Sequence, residues 1–84
     1  MYYVYILKCG DGSFYCGYTN NVEKRFEKHK SGKGAKYTRS RLPLEIVYIE
    51  EFETKSDALK RECRIKAMSR VQKERLVADY STNV

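Results

Sequence analysis

Apolar residues along this chain fall into three strand-length runs and three thinner stripes at helical spacing. Tyr2, Tyr3, Val4, Tyr5, Ile6 and Leu7 make the first β-prone run, and residues 14–19 make the second. Gly10-Asp11-Gly12 between them predicts a hairpin, with two registers open. A two-residue Asp11-Gly12 turn pairs Gly10 with Ser13 and sets Tyr5 opposite Tyr18. Tyr5 and Tyr15 then point to opposite faces. A three-residue loop with Gly12 left-handed at a bulge pairs Cys9 with Ser13 instead. Tyr5 then faces Gly17, Tyr15 faces Leu7, and the two tyrosines share a face.

Asn20-Asn21-Val22-Glu23 predicts a helix start, with Asn20 capping and Glu23 three positions on. That helix should run to about Ser31 and stop at Gly32. Its apolar stripe is only Val22 and Phe26, with Arg25 and His29 four apart beside it. Residues 31–43 read as a basic loop. A weakly alternating strand follows over residues 44–52. Thr54 caps a second helix through about Met68, with Ala58, Leu59, Ile65 and Met68 as its buried stripe. Ser69 caps a third helix carrying Val71, Leu76 and Val77. The order ββαβαα predicts an α+β domain: a small three-stranded antiparallel sheet flanked by helices. Residues 1–80 form a single domain in this reading, and residues 81–84 a frayed tail.

Composition narrows the classes. A chain of 84 residues suits one domain burying somewhat more than about 60% of its unfolded surface, without a large internal cavity. No signal peptide or membrane-spanning run is evident. Cys9, Cys16 and Cys63 lack CxxC spacing and fit reduced thiols, so a cytoplasmic setting is expected. Cys16 reads as a buried structural residue rather than a nucleophile paired with His29. The net charge is +6, and its distribution is uneven. Lys28, Lys30, Lys33, Lys36, Arg39 and Arg41 lie in a stretch without acids, whereas residues 45–57 are mainly acidic. Such a segregated basic segment suits a polyanion such as nucleic acid. Lys33, Lys36 and Arg39 are its candidate phosphate contacts.

One residue does not fit its stripe. Glu62 falls among Ala58, Leu59 and Ile65, where an unpaired carboxylate is costly to bury. Three readings stay open: an ion pair with Arg61, Arg64 or Lys66, a structural pair with Arg25, or a divalent metal ligand. A single carboxylate suits magnesium, which keeps several waters and takes phosphate oxygens. Arg25 offers an always-charged, bidentate partner for a phosphate. Tyrosines on the sheet could orient and deprotonate a water. With an unperturbed pKa of about 10, only roughly one phenol in a thousand is ionised at pH 7, so a base tyrosine needs electrostatic help. Together these groups describe metal-assisted hydrolysis of a phosphodiester.

The ordered set resembles the GIY-YIG nuclease superfamily, and especially its small stand-alone bacterial branch. Tyr3-Val4-Tyr5 and Tyr15-Cys16-Gly17 stand at the two tripeptides. Arg25 stands at the helix arginine, His29 one turn on, and Glu62 at the metal-binding glutamate. Gly32-Lys33-Gly34-Ala35-Lys36-Tyr37-Thr38-Arg39 looks like the signature of the small branch. The resemblance covers residues 2 to about 77. It implies a nuclease acting on DNA, favoured over RNA, in repair or recombination, with Mg2+ or Mn2+ held by Glu62. Tyr5 would be the base and Tyr15 its neighbour orienting water or phosphate, with these roles exchangeable. His29 would hydrogen-bond the water or a phosphate, Arg25 would clamp phosphate, and Gly17 would permit close approach. Two positions depart from the pattern: Tyr3 replaces the first glycine, and Tyr18 stands where family nucleases often carry lysine. Nucleases of the family usually carry a second domain that recognises DNA, and none is expected on this chain. Binding through backbone contacts and shape is therefore expected, with room for a protein partner supplying specificity. A weakly active or inactive nucleic-acid-binding module is the alternative, and a protein-interaction adaptor the third reading.

Overall fold

The computed structural model describes residues 1–82. Strands β1 (Tyr2–Lys8) and β2 (Phe14–Thr19) form the hairpin, helix α1 (Val22–Lys30) follows, and a short helix α2 (Lys36–Arg39) lies within the basic stretch. Strand β3 (Glu45–Phe52) and helices α3 (Lys55–Lys66) and α4 (Arg70–Thr82) complete the chain. The order is therefore ββααβαα, and the antiparallel sheet runs β2-β1-β3. The expected α+β class holds, with one added helix: the basic loop contains a turn that closes around the buried Thr38. A single helical turn of Lys-Tyr-Thr-Arg has no apolar periodicity by which a sequence could announce it.

The hairpin adopts the three-residue loop. Tyr5 pairs with Gly17 and Leu7 with Tyr15, Cys9 N–H donates to the Ser13 carbonyl at 2.8 Å, and Gly12 has φ +85°. That positive φ is the left-handed geometry for which the loop needs glycine. Gly10 is fixed for a different reason. Its N–H donates to the Arg41 carbonyl at 2.7 Å, and its Cα faces the Leu42 backbone so closely that any side chain would collide. The basic segment thus leans on the hairpin and holds its register.

Alternation then divides the sheet. Val4, Ile6, Cys16 and Tyr48 face α3 and form the main core with Ala58 and Ile65. Leu76, Val77 and Tyr80 of α4 and Met68 pack around that core. A bulge at Ile6/Leu7 leaves Val47 between the paired Tyr48 and Ile46, which accounts for the weak alternation of β3. Tyr5, Leu7, Tyr15 and Gly17 occupy the other face.

Local details differ from the sequence reading. Asn21, not Asn20, caps α1, its carboxamide oxygen accepting from Lys24 N–H at 3.0 Å. Thr19 Oγ1 accepts Asn21 N–H, so the preceding strand end fixes which asparagine caps the helix. Leu59 is exposed, so the fully buried positions of α3 are Ala58 and Ile65, and Val71 of α4 is exposed as well. Ser81 and Thr82 continue α4 where a frayed tail is expected from residue 81, while residues 83–84 lie outside the described residues. Among the described residues no helix is long and apolar enough to cross a membrane.

Candidate active site

The side chain at the centre of the site is His29, the one buried residue of α1. Its imidazole is fully enclosed, with both ring nitrogens engaged: Nε2 lies 3.0 Å from Tyr5 Oη and Nδ1 2.9 Å from Thr38 Oγ1. Tyr15 packs edge-on against the same ring, centroids 5.3 Å apart. The hairpin register brings the two tyrosines to one histidine, since only the three-residue loop places them on a shared face. His29 is expected from the sequence to hydrogen-bond water or phosphate. In the structure its nitrogens are already taken, and Tyr5 stands between it and the rest of the site.

Gly17 permits the geometry of Tyr5. A Cβ at that position would lie 2.5 Å from Tyr5 Oη and 2.7 Å from Cζ. Any side chain there would displace the phenol, so the second tripeptide ends in glycine to let the tyrosine of the first cross β2. Because β2 is an edge strand, this crossing carries the hydroxyl toward the sheet margin. Gly34 plays the matching part for His29: a Cβ there would come within 2.9 Å of both His29 Cα and Cγ and nearer still to Nδ1. Gly34→Ala should therefore lower stability by about 1–3 kcal/mol, as overpacking does. Thermal melts of the two proteins measure it, and an unchanged Tm would contradict the close packing.

The electrostatics follow from burial. Desolvation pushes the Tyr5 phenol far above its ordinary value, with Tyr15, Cys16 and Glu62 acting in the same sense and Arg25 opposing. His29 is held below its ordinary value by burial and by the Arg25 charge, so the ring is neutral at pH 7. Arg25 itself is exposed and forms no ion pair among the described residues. It borders a cleft of about 280 Å3 that Tyr2, Tyr18, Asn20 and Lys55 also line. A free guanidinium beside a lysine, with no carboxylate in the lining, is suited to a phosphate.

Glu62 reaches the site from α3. Its side chain is 17% exposed, at the rim of the core rather than inside it. Of the partners open in the sequence reading, Lys66 is the one observed, with Nζ 3.5 Å from the carboxylate. Arg61 instead donates Nε to Glu50 at 2.9 Å, and Glu50 also accepts the Tyr48 hydroxyl, joining β3 to α3. Arg25 does not pair with Glu62. The Glu62 charge nonetheless acts on both Tyr5 and Cys16, raising the pKa of each. Cys16 lies in the main core, its thiol pushed up to about 12 by burial, which fits a structural rather than a nucleophilic role.

Lys33, Lys36 and Arg39 are all at the surface, the last two flanking Thr38 on α2. Tyr37 is committed within the fold: its ring stacks on Tyr15 at 5.9 Å and lies under the Arg41 guanidinium at 3.9 Å. The residues missed by sequence reasoning are Thr38 and Gly34 as partners of His29. Their trace in the sequence is a small residue and a neutral hydroxyl amid a run of cations. Tyr18 points to the core face and lines the Arg25 cleft, adding no cation beside Tyr5.

Residues 1–75 match the family model described as the GIY-YIG catalytic domain. The UPF0213 protein of the archaeon Natronomonas pharaonis is 56% identical over 78 residues, which is 93% of this chain and 92% of that one. A UPF0213 protein of Limosilactobacillus reuteri is 51% identical over 85 residues, 99% of this chain and 88% of that one. The solution NMR structure of the UPF0213 protein BH0048 from Bacillus halodurans superposes with a TM-score of 0.61 at 52% identity, covering 93% of this chain and 84% of that one. With two tripeptide tyrosines on one face, a glycine beneath the first and this extent of similarity, the chain belongs to the GIY-YIG family, in its UPF0213 branch of small bacterial and archaeal proteins.

Proposed function

We propose that this protein is a divalent-metal-dependent nuclease that hydrolyses phosphodiester bonds in DNA, in repair or recombination, within the cytoplasm. The observation that carries this reading is the Tyr5–His29 hydrogen bond, set where the charges of Arg25 and Glu62 both act on the phenol. Tyr5 takes the proton of the attacking water, Tyr15 orients water or phosphate, and Arg25 neutralises charge gathering on the phosphate oxygens. Burying the phenol makes free phenolate scarce, so the proton that Tyr5 gains must be matched by one that it gives up. The neutral His29 ring, bonded directly to Tyr5, is the acceptor at hand.

The chemistry of Glu62 fits a hard divalent cation. Its carboxylate has one loose partner, Lys66, and no cluster of three or more His, Cys, Asp or Glu side chains surrounds it among the described residues. One carboxylate suits Mg2+ or Mn2+ completing its shell with water and substrate phosphate, not a closed protein cage. Such an ion supplies Lewis-acid stabilisation of the phosphate and the leaving oxygen. Cleavage assays on single-stranded, duplex and branched DNA, with Glu62→Gln as control, test the reading. Salt-sensitive binding without metal-stimulated cleavage on any of these would replace it with the binding-module reading, which the raised Tyr5 phenol and the neutral Tyr18 favour.

The surface cations of the α2 stretch bind backbone phosphates in this proposal, without reading sequence, and a protein partner supplies target choice. Replacing Lys33, Lys36 and Arg39 with alanine should weaken DNA binding uniformly across sequences. The slope of log K against log salt should shrink by about one unit for each phosphate no longer neutralised. Titrations by fluorescence anisotropy at several salt concentrations measure that slope, and an unchanged slope removes these residues from the interface.

A further inference from the structure

The bond from Tyr5 to His29 is one link of a longer buried chain. Tyr5 Oη lies 3.0 Å from His29 Nε2, His29 Nδ1 lies 2.9 Å from Thr38 Oγ1, and Thr38 Oγ1 lies 2.9 Å from the Ala35 carbonyl oxygen. The direction of every proton follows from the last member. A carbonyl oxygen has no hydrogen, so the Thr38 hydroxyl must donate to it. Were that hydrogen turned toward His29, two oxygen acceptors would face each other at 2.9 Å with nothing between them. Having one proton and using it on Ala35, Thr38 can only accept from His29. Nδ1 therefore carries the imidazole hydrogen, and Nε2 is left as a bare lone pair facing the Tyr5 hydroxyl. The Ala35 carbonyl is itself fixed in place, because it also accepts the Thr38 and Arg39 N–H groups that close α2.

We propose that Thr38 is a positioning residue for the reaction: its hydroxyl holds His29 in the Nδ1–H tautomer, so that Nε2 receives the Tyr5 proton as Tyr5 takes one from the attacking water. This rests on the nuclease reading above. One water proton moves to Tyr5 Oη while the original Tyr5 proton moves to His29 Nε2, which becomes imidazolium. The water oxygen bonds to phosphorus as the ester P–O bond breaks, and the leaving oxygen takes a proton from solvent. The imidazolium later returns its proton through Tyr5 to solvent. Its Nδ1–H bond to Thr38 persists throughout, so no side chain need reorient. The groups facing His29 are Tyr5 from β1, Tyr15 from β2, Thr38 and Gly34 from the α2 segment and Arg25 on its own helix. Among the described residues, Tyr5 is the one hydroxyl bonded to Nε2.

Nitrogen-15 NMR of the imidazole in the full chain reads the tautomer directly, and steady-state kinetics read its consequence. The wild type and Thr38→Ser should show protonated Nδ1 and bare Nε2. Thr38→Val, of nearly the same shape without the hydroxyl, should lose that preference. Its kcat should fall by ~10- to 100-fold, up to the lower limit of what a general base contributes, with KM little changed. Thr38→Ser should restore most of that activity. A wild-type ring protonated at Nε2 overturns the proposal, and so does Thr38→Val keeping both the tautomer and the rate. If the wild type cleaves no DNA substrate with Mg2+ or Mn2+, the nuclease reading fails, and the tautomer spectra alone decide whether Thr38 positions His29. If Thr38→Val does not fold, the wild-type and Thr38→Ser spectra decide the same question.

Discussion

Glu62→Gln should reduce Mg2+-dependent DNA cleavage by at least about 10³-fold, because the amide keeps the shape of the carboxylate and removes the charge that holds the cation. A bound metal contributes several kcal/mol of transition-state stabilisation, and each 1.36 kcal/mol is a factor of ten in rate. The fold should hardly notice. The one ion pair removed among the described residues is the loose one with Lys66 at 3.5 Å, whose lysine end is more than half exposed though Glu62 itself is not. Glu–Lys pairs four apart on a helix contribute about 0.3–0.5 kcal/mol. For a domain of this size that is a drop of at most about 4 °C in Tm. Removing the metal with a chelator should silence the wild type, and added Mg2+ or Mn2+ should restore it. A Glu62→Gln protein that cleaves at the wild-type rate would sink the metal assignment. Arg25→Ala gives a parallel test, since an exposed and unpaired arginine should cost rate rather than stability.

Tyr5→Phe should have an effect almost as large, about 10²- to 10⁴-fold in kcat, the usual range for a general base. Here stability also falls, by about 1–3 kcal/mol, because the buried His29 Nε2 loses its partner while the phenyl ring keeps its packing. The pH profile separates two ways of using the tyrosine. Were free phenolate the base, the rate would climb about tenfold per pH unit from 7 to beyond 10, since the phenol is held above its ordinary value. If His29 accepts the proton through Tyr5, the rate is flat through neutral pH. It falls only as pH drops through the His29 pKa, which burial and Arg25 hold below the ordinary 6.5. The sign is fixed: lowering the pKa of a base keeps it neutral, and ready to accept, further into the acid range. A log-linear rise through pH 9 would remove His29 from the proton path.

Position by position, the two levels of structure divide the work unevenly. Apolar runs locate the strands, and capping patterns with thin apolar stripes locate the main helices, although α1 fully buries only His29 and α4 fully buries no residue. These signals cannot locate α2, whose four residues bury chiefly a threonine. Glu62 stands out against an apolar stripe, yet Leu59 of that stripe is exposed and the carboxylate sits at the rim. Burial on a helix depends on which neighbour arrives to cover it, and spacing does not name the neighbour. His29 is visible as a helix residue near Arg25, but its role changes once Tyr5 and Thr38 are found on its two nitrogens.

Local chemistry suffices for the β-prone tyrosine runs, the glycines that allow a tight hairpin and the separation of basic from acidic segments. Alternation, φ freedom and charge are carried by each residue wherever it lies, so they can be read along the chain. The choice between two hairpin registers is not local, and with it goes whether Tyr5 and Tyr15 can share a site. Packing between distant segments makes that choice. Gly10 docks against the backbone at Arg41 and Leu42, Tyr5 crosses Gly17 to meet His29, and the three-residue loop is the register that satisfies both. Both contacts join residues distant in the chain, and the closeness of distant residues is what a one-dimensional pattern cannot encode.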